Sequence, residues 1–156
     1  MAGNKDSPIK IRAYQDNDFL PVTALEDAGI GSLYRSGVFV RQMGACCPDT
    51  FLVAVDGTEP VGYLVGSNVQ DTTGTAWILR VGVMENYRCN GVGTALLSAI
   101  IDVFRNKGVR EIFLTVAPEN QPALCIYQRQ GFVLEKECRA YFGPGYDRLV
   151  LKKQIK

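Results

Sequence analysis

The residues best suited to chemistry lie between Trp77 and Phe104, in WILRVGVMENYRCNGVGTALLSAIIDVF. An apolar run passes through the polar turn Arg88-Cys89-Asn90-Gly91-Val92-Gly93 into a second, longer apolar run with helical spacing. A glycine-rich turn that opens a helix leaves backbone N–H groups without acceptors around a concave spot. The helix dipole favours negative charge at the same place. The chemistry on offer is therefore anion binding, and phosphate is the natural anion. An ordinary capped helix with spare glycines has the same local sequence, so the surrounding elements must decide.

Other chemistries find less support. Five cysteines, two of them adjacent (Cys46 and Cys47), with no histidine and no Cys-x-x-Cys pair argue against a zinc site. Reduced thiols in a cytoplasmic protein are the expectation, and no metal is expected. Seventeen Lys and Arg against 16 Asp and Glu give a net charge of +1 with no basic run, which offers nothing to a nucleic acid. Hydrophobic residues at 47% and charged residues at 21% fit a globular chain. No apolar run reaches membrane-spanning length.

The elements that must position the turn follow from the pattern. Residues 1–7 are polar and expected to be flexible, and 8–156 to form a single domain. Ile9, Ile11 and Ala13 alternate as in a strand with one buried face. Asp16-Asn17-Asp18 offers capping groups for a short helix over Phe19–Ala28, stopped by Gly29 and Gly31. Ser32 caps a second helix that turns Leu33, Phe39, Val40 and Met43 inward and ends near Gly44. Strands are predicted over 51–55, 61–69 and 75–83, joined by turns at Asp56-Gly57 and 71–74. A helix over 91–107, a strand over 111–116 and a helix from Asn120 or Gln121 through Gln130 come next. A closing hairpin joins 132–141 to 146–151 through Gly143-Pro144-Gly145. The glycine turn thus follows the fourth strand, after an antiparallel meander. A doubly wound dinucleotide fold would place it after the first.

Strand order and motif together resemble the GNAT superfamily of acetyl-CoA-dependent N-acetyltransferases. The family's (Arg/Gln)-x-x-Gly-x-(Gly/Ala) motif stands here as Arg88 to Gly93, and its second region as Asn120, Tyr127 and Gly131-Phe132. The C-terminal half is most similar to protein N-terminal acetyltransferases, including the ribosomal-protein alanine type. The resemblance implies an α+β fold, with a mostly antiparallel sheet of about seven strands, splayed after the fourth and flanked by about four helices.

It also implies roles. The backbone of Arg88, Cys89, Asn90, Gly91, Val92, Gly93 and Thr94 would hold the pyrophosphate of coenzyme A. Arg88 adds charge or is a solvated loop residue. Val81, Gly82 and Val83 would bond the pantetheine arm like an added strand, unless Gly82 marks only a bulge. Asn120 would bond the same arm or cap its helix, and Ala123 would allow the cofactor close access. Tyr127 would protonate the departing thiolate; the alternative is a half-buried core tyrosine. Tyr141 and Phe142 would edge the acceptor pocket or pack on the first helices.

Thr115 stands where many relatives carry a glutamate base, and threonine cannot take a proton. An α-amine of pKa ~8 is about 10% neutral at pH 7, against roughly 0.04% for lysine at ~10.4. The missing base therefore favours a peptide or protein N-terminus as acceptor. Glu26, Glu85 or Glu137 would have to take the proton through ordered water; Glu26 is preferred because it falls in the helical wall beside the acceptor, the alternative being a solvated surface glutamate. A small-molecule amine acetyltransferase and a silent acyl-CoA-binding module are the alternatives, and the assembly is expected to be a monomer or homodimer.

Overall fold

The run FLVAV at 51–55 is apolar throughout, as expected of a strand buried on both faces. In the computed structural model, which describes residues 8–156, it is the spine of the sheet. Phe51, Val53 and Val55 face one apolar cluster with Val22 and Val40, while Leu52 and Ala54 face a second, larger cluster. The flexibility expected for 1–7 lies outside the described residues.

The elements run β1 (Lys10–Ala13), α1 (Phe19–Ile30), α2 (Leu33–Cys46), β2 (Phe51–Asp56), β3 (Glu59–Asn68), β4 (Thr75–Val83) and α3 (Val92–Asn106). There follow β5 (Glu111–Val116), α4 (Gln121–Arg129), β6 (Val133–Cys138) and β7 (Arg148–Gln154). Among the described residues they form one sheet of seven strands in the order β1-β2-β3-β4-β5-β7-β6. Every neighbouring pair is antiparallel except β4 and β5. This is the α+β sheet and four-helix count that the resemblance implied. The last strand inserts between β5 and β6, so the closing hairpin joins the sheet through β7.

The two faces carry different helices. α3 buries Val92, Leu96, Leu97, Ile100, Ile101 and Phe104, a stripe spaced for one helix face. It packs with α4's Leu124 on the larger cluster. α1 and α2 cover the opposite face through Val22 and Val40, with Phe19, Leu25, Phe39 and Met43 against them.

Several boundaries differ from the sequence pattern. Gly29 lies inside α1, which ends at Gly31 (φ 72°). α2 runs on to Cys46, and Leu33 at its start is 64% exposed because it precedes the segment that meets the sheet. β6 stops at Cys138, so Tyr141 sits in the connecting loop, and β7 extends to Gln154 along β5.

Asp18 does not cap α1 with its side chain. Its carboxylate instead receives two hydrogen bonds from Arg12, at 2.7 and 2.8 Å, and one from the Gln15 amide at 2.8 Å. This ties β1 to the start of α1. Burial pushes the Asp18 carboxyl up, but the Arg12 and Gln15 bonds outweigh it and hold it below the usual range. A depressed carboxyl contributes stability above its unfolded pKa of about 3.9 and loses it as pH falls through the folded value. We expect Asp18→Asn to cost roughly 1–3 kcal/mol at pH 7 in urea unfolding, with the gap from wild type closing below that range.

Candidate active site

A strand pair that parts leaves backbone groups facing a gap, and β4 and β5 part early. They pair only from Thr75 to Trp77 against Glu111 to Phe113, with Trp77 stacked on Phe113 at 5.3 Å. Beyond that point Ile78 to Val83 and Leu114 to Val116 diverge. A cleft of about 200 Å³ opens between them, lined among others by Leu79, Arg80, Thr115, Asn120, Tyr127 and Arg148.

β4 is also irregular against β3. Val65 pairs with Arg80 and Gly66 with Ile78, leaving Leu79 as an extra residue. A bulge of this kind reverses which face the following side chains take. Ala76 and Ile78 point toward α3, and after the bulge so do Val81 and Val83. Arg80 and Gly82 consequently turn to the α1 face.

That reversal builds a buried polar cluster. Glu26 on α1 is 2% exposed. One of its carboxylate oxygens accepts a hydrogen bond from the Tyr63 hydroxyl. Arg80 Nε lies 2.9 Å from the other, a charge contact whose angle falls short of a hydrogen bond. Burial raises the Glu26 carboxyl and Arg80 pulls it back in part. Gly82 stands opposite Tyr63 on the neighbouring strand. A Cβ at Gly82 would come within 2.5 Å of the Tyr63 ring, so glycine here lets that ring lie across β4 and reach Glu26.

At the open end of the cleft, the polar turn enters α3. Cys89 (φ 61°) and Gly91 (φ 81°) are both left-handed on either side of Asn90. The first helical bond runs from the Ala95 amide to the Gly91 carbonyl at 2.9 Å, and no side chain caps the helix. The amides of Asn90 through Thr94 therefore have no intrahelical acceptors. A Cβ at Gly93 would meet only ordinary contacts at 3.9 Å. Packing within the chain does not demand glycine there, whereas a ligand approaching the backbone would. Arg88 folds its Nε onto the Val83 carbonyl at 3.2 Å, and Cys89 is exposed. This arrangement fits the diphosphate of coenzyme A.

α4 borders the same cleft from the α3 side of the sheet. Asn120 is its N-cap, accepting from the Ala123 amide at 3.3 Å, which leaves the carboxamide NH2 free to donate. Ala123 and Tyr127 pack half-buried on the larger core, Tyr127 edge-on to Phe132 at 6.0 Å. Burial pushes the Tyr127 hydroxyl upward, so it keeps its proton through neutral pH.

Tyr141 and Phe142 are 42% and 59% exposed in the loop before β7, edge-to-face at 4.9 Å. The Arg148 guanidinium lies 5.1 Å from the Phe142 ring. The structure thus brings Val81 to Val83, the amide cradle, Asn120, Tyr127 and Thr115 around one gap, while Glu26 reaches it only through Arg80. Arg80, Tyr63 and Arg148 were missed by sequence reasoning. Arg80 left one trace, as the only charged residue in Thr75–Val83. A larger hollow of about 320 Å³, lined by Cys46, Cys47, Asp49, Thr50, Asn68 and Lys107, sits at the far end of β3. It gathers no splayed backbone and lies away from Tyr127. Among the described residues no group of His, Cys, Asp and Glu could hold a metal, and no helix is long and apolar enough to cross a membrane.

Comparison with known proteins bears on the same elements. Residues 20–132 match the family described as Acetyltransferase (GNAT) family. An N-alpha-acetyltransferase of Sulfurisphaera tokodaii is 32% identical over 157 residues, covering 94% of this chain and 93% of its own. The crystal structure of Ard1 from Thermoplasma volcanium superposes with a TM-score of 0.86 at 24% identity, over 95% of this chain and 98% of that one. The NatC complex bound to Gag peptide and CoA gives 0.82 at 23% identity, over 95% and 99%. At those identities the two structures speak for the fold. The family match spans the cradle and Tyr127 alike, and the chain belongs to the GNAT acetyltransferase family.

Proposed function

We propose that this acetyltransferase moves the acetyl group of acetyl-CoA to the α-amine of a peptide or protein N-terminus, by direct attack of the amine on the thioester. The observation that carries the reading is the gap between β4 and β5, open to both faces of the sheet. The amide cradle and Tyr127 lie on the α3/α4 side. Glu26 and Arg80 lie on the α1 side, across the sheet from them. Cofactor and acceptor then enter from opposite faces and meet in the gap. The name of the Sulfurisphaera tokodaii relative, N-alpha-acetyltransferase, supports the choice of acceptor.

Acetyl-CoA, when bound, supplies an activated acyl thioester. The chain's residues divide the remaining work. The amides of Asn90 to Thr94 hold the diphosphate, with Arg88 and Cys89 shaping the approach. On the β5 side, the backbone of Val81, Gly82 and Val83 is free of strand pairing and receives the pantetheine amides as an added strand would. The Asn120 carboxamide donates to the same arm, and Ala123 keeps the α4 surface shallow beside it. Tyr127, protonated at neutral pH, gives its proton to the departing sulfur.

No carboxylate stands at Thr115 to take the amine's proton. An N-terminal amine, about 10% neutral at pH 7, attacks without a strong base, and the proton it sheds as the amide forms passes to water. Glu26 acts here as a positioning residue, since its carboxylate is buried and reaches the acceptor side through Arg80. In this reading the enzyme works in the cytoplasm as a monomer or homodimer, on a peptide or protein partner, without metal or nucleic acid.

Two measurements test this. Gly93→Val should leave the thermal midpoint within a few degrees while weakening acetyl-CoA binding by at least roughly tenfold in calorimetry; unchanged affinity rejects the cradle. Tyr127→Phe should lower kcat about 100-fold with little change in KM. Wild-type kcat should fall only at pH above the ordinary tyrosine value of about 10, because burial moves the hydroxyl upward. A Tyr127→Phe enzyme with normal kcat removes the acid role. Mass spectrometry of peptides incubated with enzyme and acetyl-CoA decides the acceptor, and acetylation of free small amines alone would overturn the peptide reading.

A further inference from the structure

Strand register places three side chains on the acceptor face. Thr115 pairs with Val150 on β7, so the two point the same way, and Arg148 follows two residues along on that side. Ile112, Leu114 and Val116 point to the α3 core, which confirms that Thr115 faces away from it. The bulge at Leu79 turns Arg80 to this face too. Thr115 thus sits in the same cleft as two guanidinium groups, at the position where a carboxylate was expected.

Both arginines are held in place by aromatic rings. The Arg80 guanidinium centre lies 5.1 Å from the Phe39 ring, and Arg148 the same distance from Phe142. Glu26 Oε1 lies 2.9 Å from Arg80 Nε. Arg148 spends one Nη1 bond on the Asp147 carbonyl at 3.0 Å. A guanidinium has five N–H donors, so both keep donors to offer. Two acids that adjoin these arginines are committed: Glu26 to Tyr63 and Arg80, and Asp147 to the Ala140 amide at 2.8 Å.

We infer that Arg80 and Arg148 form a carboxylate subsite beside the acceptor amine, and that the preferred acceptors are peptides whose first residue is Asp or Glu. This rests on the peptide acetyltransferase reading and narrows it. Guanidinium groups already ordered on aromatic rings bind a carboxylate at little further entropic cost.

The test compares kcat/KM for peptides that differ only at the first residue, Glu, Gln or Leu. Wild-type enzyme should prefer Glu over Gln by about tenfold or more. Raising salt from about 0.05 to about 0.5 M should shrink that ratio. Arg148→Gln should bring it close to one, as should Arg80→Gln combined with Glu26→Gln, which avoids stranding a buried carboxylate. Equal rates for Glu-first and Gln-first peptides in wild type overturn the subsite while leaving the peptide reading intact. A preference that survives salt and both variants overturns it as well. Turnover of free glutamate with no turnover of any peptide removes both.

Discussion

The parting of β4 from β5 after Trp77 is the constraint on which the remaining architecture depends. Parallel strands held side by side would satisfy each other's backbone and leave no slot through the sheet. Here the pairing ends after three residues, and two later elements border the space that opens. α4, which follows β5, supplies Tyr127 from one face. β7, inserted beside β5, supplies Arg148 from the other. A sheet that continued its pairing would close the gap and separate the groups on its two faces.

The bulge at Leu79 adds a second consequence to the same strand. One extra residue changes the parity of everything after it, so Arg80 and Gly82 face α1 while Val81 and Val83 keep the α3 core closed. Without it Arg80 would point into the apolar layer under α3, where an unpaired guanidinium is costly. With it, Arg80 meets Glu26, and the glycine at 82 makes room for Tyr63 to complete the cluster. A local defect in pairing therefore joins the helical wall to the cleft. Much of the polar character on the α1 side of the cleft follows from a single unpaired residue.

The two halves of the site are built from different materials. The cradle is backbone, shaped by left-handed Cys89 and Gly91 and by the lack of a side-chain cap on α3. The α1 side of the cleft is side chain, ordered by rings and ion pairs. A diphosphate presents the same oxygens in every turnover, so fixed amides suit it. Discrimination among many similar partners needs placed charges.

How much of this was legible beforehand follows the range of each interaction. The glycine turn, the apolar stripe of α3, the meander over 51–83 and the Asn120 to Tyr127 spacing are local patterns, and periodicity together with a family resemblance was enough to read them. Helix ends and the true limits of β6 and β7 slipped by a few residues, because tertiary pairing with β5 sets where β7 stops. The parity of β4 was hidden, since an alternating strand and a bulged one share the letters WILRVGV. Nothing in the chain order placed Arg148 beside Arg80, 68 positions away in sequence, or showed that Glu26 is buried and reaches the cleft through Arg80. The sequence by itself determined the kind of fold and the glycine turn that opens α3, which depend on local backbone chemistry. Only the tertiary structure decided which charges face the cleft, because that turns on strand register and on one residue left out of it.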